Sequence, residues 1–335
     1  MDDTSWEEYF KGFTIVDCVI PNENRICFCL KQDPDPSSGT VEDDELTTRI
    51  VVQLRDEDPP DDWASQELHQ NNRPRLGFSF EPGLRVLTVS SYGEVFSLGG
   101  GKAEFEDDAP VPDGIAATAA ANIGGLLHVV GTGRTVLRRE RRDKWTALKK
   151  GLGGDDDEVS QDEGFNALDG YGPEELYAAG GAGDLWRFDG SAWQRIELGS
   201  NVEINDLCCG EDGLVYVVGD AGTLIVGRGD VWAQVDQDVE DDDLDSVAWF
   251  DGRAWISTSM HLYAFADGKL ARVDVRTADD EVQWTHALVA TGGGLLVSAG
   301  PKDAFAFDGD EWHCLVPNLE DEGEFDDEDE DEDDA

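Results

Sequence analysis

Residues 175–193 read ELYAAGGAGDLWRFDGSAW, and this stretch decides the fold. A short apolar run ends in glycines, a second run ends in Asp189-Gly190, and Trp193 opens a third. Short apolar runs punctuated by glycine are strands, because glycine supplies the positive φ that tight turns need. The phrase returns at 214–232 (LVYVVGDAGTLIVGRGDVW), 254–270 (AWISTSMHLYAFADGKL) and 295–312 (LLVSAGPKDAFAFDGDEW). Weaker copies precede it at 84–103, where Ala103 stands at the Trp position, and at 126–148, where Trp145 holds it. Residues 12–70 form a degenerate first copy with an acidic loop inserted at 33–46 and Trp63 at its end. Asp-Gly at 189–190 and 267–268, and Gly-Asp at 229–230, suit two-residue hairpins.

The Trp-equivalent positions are 63, 103, 145, 193, 232, 270 and 312, a period of roughly 40 residues with four short strands per unit. That is the signature of a β-propeller. A β-sandwich also has short strands, but it does not repeat one glycine turn and one Trp at a fixed offset. The expected fold is all-β: a single propeller of seven four-stranded blades over 12–317, with blades at about 12–70, 75–111, 115–153, 164–201, 202–239, 242–280 and 282–317. An N-terminal segment, 1–11, precedes it, and an acidic tail, 318–335, follows and is expected to be disordered. First and last copies each hold four strands, which predicts a ring closed by packing, without strand exchange. Phe13, Ile15, Ile26 and Phe28 are then at the seam, and residues 1–10 are dispensable. Within them WEEYF (6–10) fits a helical turn or an edge strand equally.

The repeated phrase resembles the repeats of bacterial WD40/YVTN/BNR-like propellers over most of the chain. That resemblance implies a fold and no particular activity. The sialidase Asp box is not matched, since Asp, Gly and Trp of FDGSAW (188–193) have a different spacing. Neither Gly-His nor Trp-Asp, the marks of eukaryotic WD repeats, occurs.

Charge is the outlier: 75 acidic against 25 basic residues, a net −50. Such a field repels nucleic acid and anionic membranes and attracts basic partners. The six cysteines form no CxxC, and they read as small core residues of a reducing compartment. No leader-like or membrane-length apolar run is present, so a soluble, cytoplasmic protein is expected.

In a four-stranded meander the links between blades emerge on the same face as the turns between second and third strands. The links are acidic. They carry Asp107 and Asp108; Asp155, Asp156, Asp157 and Glu158; Asp236, Asp238, Glu240, Asp241, Asp242 and Asp243; and Asp279 and Asp280. These form the candidate partner-binding face. Against them stands one basic island, in which Arg138, Arg139, Arg141 and Arg142 are a candidate dock for the acidic tail; the alternative is a solvated face that relieves repulsion.

His128 falls in a second strand and reads as a packed core residue, and His286 is the one histidine placed toward the central channel. No GxSxG, HExxH, P-loop or dinucleotide fingerprint occurs, and the Asp-rich run 154–164 lacks the ligand spacing of an EF-hand. No catalytic residue, cofactor or metal is expected. The residues point to a non-enzymatic propeller, monomeric apart from its partner, whose acidic face engages a basic protein. The sharpest version is an immunity or inhibitor protein against a nucleic-acid-acting toxin, whose phosphate-binding site carboxylates can occupy. The alternatives are a halophile-type acidic scaffold without a dedicated partner, and an enzyme or small-ligand binder using the central channel.

Overall fold

The computed structural model describes residues 1–37, 39–69, 71–153, 164–199, 201–277 and 286–320. They form seven four-stranded antiparallel meanders around a central axis, each with its strands in chain order from the inside out. The first blade is Phe13–Asn22, Arg25–Gln32, Thr48–Leu54 and Trp63–Leu68; the seventh is Leu288–Gly292, Leu295–Ala299, Ala304–Phe307 and Trp312–Val316. Second strands such as Val215–Gly219 and Leu295–Ala299 are buried at every residue, because neighbouring blades cover both faces. Each hydrophobic cluster accordingly lies between two blades, not within one.

The Trp positions fill these gaps from the outer strands. Trp63, Trp145, Trp193, Trp232, Leu270 and Trp312 each pack against the preceding blade. Trp193 also donates its indole Nε1–H to the Leu148 carbonyl, at 2.7 Å, and Trp312 meets Trp255 edge-on. The Asp-Gly pairs divide into two kinds. Asp267 and Gly268 both have positive φ and make the expected two-residue hairpin. At Asp189 and Asp308 the loop is four residues instead, because Phe188 pairs with Trp193 and Phe307 with Trp312. There the carboxylate itself caps the turn: Asp189 Oδ1 accepts from the Ser191 and Ala192 amides, Asp308 Oδ1 from those of Asp310 and Glu311. Hydrogen bonds to the ionised form pull both carboxyls down to about 2.

Three inner-strand carboxylates pin neighbouring blades together. Asp17 Oδ2 accepts from the Leu76 amide of the next blade, Asp169 Oδ2 from that of Cys209, and Asp206 Oδ2 from that of Val247, each at 2.8 Å. The other oxygen of each accepts from the following residue's amide. Burial pushes all three up to about 6, against the hydrogen bonds that favour the charge.

The ring closes without strand exchange, as the strand count requires. Phe13, Ile15, Ile26 and Phe28 share one cluster with Leu295, Val297 and Val316 of the seventh blade. The segment before them is not a loose leader. Asp3–Tyr9 is a helix, α1, capped by Asp2 and packed on the seam with Trp6 and Phe10 only 4% exposed. That packing argues against the expectation that residues 1–10 are dispensable. Among the described residues no helix is long and apolar enough to cross a membrane.

Candidate partner-binding face

Links and second-to-third-strand turns do meet on one face. Between the fifth and sixth blades the link packs on the turn after Val215–Gly219: Gly222 N donates to the Asp242 carbonyl at 2.8 Å, and Leu244 N to that of Gly219 at 3.1 Å. Gly222 has φ +66, and a Cβ there would meet the Glu240 carbonyl, so only glycine lets the two segments approach this closely.

The acids of this link have different jobs. Glu240 turns inward, its side chain 7% exposed, where the Tyr263 hydroxyl donates to Oε2 and the Asp241 and Asp242 amides donate to Oε1. Burial alone would raise its pKa, but these donors and His261 bring it below the usual carboxylate range. Glu240 therefore anchors the loop. Asp243 Oδ1 accepts from the Ala221 amide at 2.9 Å. Asp236, Asp238, Asp241 and Asp242 point their charge to solvent. One oxygen each of Glu240, Asp241 and Asp242 lie within 4.8 Å of one another, a closeness that follows from the loop's own hydrogen bonds.

Asp108 is exposed, and Asp107 too, although the Asp107 backbone amide donates to Asp143 Oδ1 at the ring's edge. Asp155, Asp156, Asp157, Glu158, Asp279 and Asp280 lie outside the described residues, as does the tail from 321. The same face gains residues that the spacing argument passed over. The loop between the first blade's second and third strands carries exposed Glu42, Asp44 and Glu45, and Asp43 pairs with Lys31 there at 3.1 Å. Apolar groups also stand out: Tyr92 is 67% exposed and Met260 52%, each in a second-to-third-strand turn, with Val239 in the link beside Glu240. The available signal was a bulky apolar residue at a position where other repeats carry glycine or a small residue.

Three of the four candidate dock arginines are paired with acids of the fold. Arg139 does not reach the surface: its side chain is 1% exposed, and Nε and one terminal nitrogen donate to the two oxygens of Glu106 at 2.8 Å. Arg138 clasps Glu140, and Arg142 meets Glu104 and Asp143. Arg141 alone of the four is exposed with no ion pair among the described residues. His286 is buried rather than open to the channel, with Nδ1 2.8 Å from Ser298 Oγ, and burial brings it down to about 4. His128 is likewise a neutral core group.

No family model matches the chain. It is 37% identical over 242 residues to immune protein Tsi7 of Pseudomonas aeruginosa, an alignment covering 69% of this chain and 76% of that protein. The chain belongs to the Tsi7 family. Solved propellers share the fold of this Tsi7-family chain at much lower identity. The WD40 propeller domain of Doa1 aligns over 87% of this chain and 92% of its own, with a TM-score of 0.61 and 9% identity. Sqt1 of Saccharomyces cerevisiae covers 92% and 87%, with 0.60 and 12%. YCF48 bound to D1 peptide covers 88% and 90%, with 0.58 and 14%.

Proposed function

We propose that this chain is an immunity protein that neutralises a toxin by binding it, without catalysis, through the acidic link face. The observation that carries the reading is the 37% identity with an immune protein across three quarters of that protein's length. The make-up of the link face supports it as the contact surface. Exposed Asp236, Asp238, Asp241 and Asp242 share one link with exposed Val239, and Met260 stands on the next blade of the same face. An apolar anchor within a charged rim is the anatomy of a specific interface, and carboxylates steer a basic partner into it. A toxin that acts on nucleic acid would present such a basic surface, and the carboxylates would occupy the places of phosphates.

The test is binding of the cognate toxin to a variant with Asp236, Asp238, Asp241 and Asp242 all changed to Asn. Glu240 is left intact because it holds the loop. Affinity at low salt should fall by about tenfold or more, with a shallower salt dependence. Unchanged affinity and salt slope would remove the link between the fifth and sixth blades as the recognition element. Competition between the toxin's nucleic-acid substrate and this protein separates blockage of the substrate site from binding elsewhere.

A further inference from the structure

The outer-strand position that fills the gap to the preceding blade is Trp in five blades and Leu270 in a sixth, but Ala103 in the second. Its register is the same as theirs: Ala103 pairs with Leu98 as Trp193 pairs with Phe188. Between the first and second blades a cleft of about 600 Å³ opens where the ring is missing, with Val52, Leu54, Val86 and Leu98 on its walls. Gly99, Gly100 and Gly101, all at positive φ, form one lip that bears no side chain of its own. The rim is cationic in a chain of net charge −50. Arg25 lines it, paired with Asp56; Arg85 lies against the glycine lip; and Lys102 has no ion-pair partner among the described residues.

We propose that this cleft is a binding site for a small aromatic carboxylate. The repeat itself says what shape fits, since an indole occupies the equivalent gap in five other blades. The rim says what charge accompanies it: the ring lies against Val52 and Leu98 while the carboxylate meets Lys102. A second open gap, of about 730 Å³ between the fifth and sixth blades, has Glu211, Asp212 and Asp267 at its edge and would repel the same ligand. The site is distinct from the acidic link face, because Arg25 and the glycine lip stand at first-to-second and third-to-fourth turns, on the opposite side of the ring.

The full chain is titrated with indoleacetate, neutral indole and cationic indole-ethylamine, followed by amide-resonance shifts. Indoleacetate should bind most tightly, about tenfold better than indole-ethylamine, and shift the resonances of Leu98 and 101–103. Ala103→Trp should fill the cleft from within, abolish binding and raise Tm. Lys102→Glu, at an exposed position, should erase the preference for the acid while preserving the fold, so the proposal stays testable if the tryptophan variant folds poorly. Equal affinity for the three ligands, shifts that map elsewhere, or undiminished indoleacetate binding in a folded Ala103→Trp protein would overturn it.

Discussion

Arg139 and Glu106 form an ion pair with side chains 1% and 2% exposed, linking the second and third blades, and Arg139 also donates to the Glu81 carbonyl. Removing one partner strands the other charge in the interior, so Arg139→Met should cost roughly 3–5 kcal/mol in denaturant unfolding. Replacing both, as Arg139→Met with Glu106→Leu, should recover most of that loss. A single variant as stable as the parent would show that water reaches Glu106. The inner-strand aspartates give a pH signature of the opposite kind. Asp17, Asp169 and Asp206 have folded values near 6, above the ordinary 3.8. The folded state therefore takes up these protons first, and the resulting stabilisation is complete below about 3.8 and lost as pH rises through 6. Each accounts for at most about 3 kcal/mol. Asp189 and Asp308, with lowered values, lose their contribution only as pH falls below that range toward 2. Tm should thus climb from about pH 7.5 to pH 5, and Asp206→Asn should flatten part of the climb. A Tm that falls over that interval in the parent chain contradicts the assignment.

At the scale of elements, α1 is the piece whose importance exceeds its length. Seven residues are too few for a helix to persist alone, so packing holds it. Phe10 sits edge-on to both Phe28 and Trp63, and the Tyr9 hydroxyl donates to the Trp63 carbonyl. Arg49 donates to the Glu8 and Tyr9 carbonyls at the helix end. Deleting residues 1–11 removes the buried Trp6 and Phe10 and uncovers Phe28 and Trp63 at the seam between the first and last blades. The expected loss is about 3–6 kcal/mol, read as a lower Tm and a lower denaturant midpoint. Trp6→Ala with Phe10→Ala should reproduce most of it. Equal stability of the truncated chain would mean that the ring is sealed by Phe13, Ile15 and Ile26 alone.

For the whole molecule the governing quantity is net charge. The described body places acids on its links and turns, and ending the chain at 320 removes 12 further acids and leaves 38 negative charges. At 0.1 M salt the screening length is about 10 Å, shorter than the ring, and at 0.01 M it is about 30 Å. Added salt should therefore raise Tm in the full chain by several degrees, and by less in the chain ending at 320. The truncated chain should melt no lower than the parent at low salt, because like charges are removed and the Lys302–Glu320 pair is kept. A large drop would instead place residues 321–335 against the body, with Arg141 the one exposed arginine of the island available to receive them.

The sequence by itself determined the ring. A period near 40 residues, glycine turns and a Trp at a fixed offset encode local strand pairing, and seven such units have only one way to cover the apolar faces of their second strands. The same periodicity placed the links on one face, because a meander reverses at every turn. What spacing could not carry is which side chain turns inward. Glu240 and Asp241 are neighbours in an acidic run, yet one anchors the loop under Tyr263 and the other meets solvent. Arg138 and Arg139 stand side by side in a strand, and alternation sends only the second into the gap that Glu106 occupies. WEEYF was ambiguous because five residues hold too little periodicity to tell helix from strand, and its burial depends on a seam built from residues nearly 300 positions away. The missing ring at Ala103 was visible as a letter in the repeat. That it leaves an open cleft with Lys102 at the rim was decided only when the first blade was folded against the second.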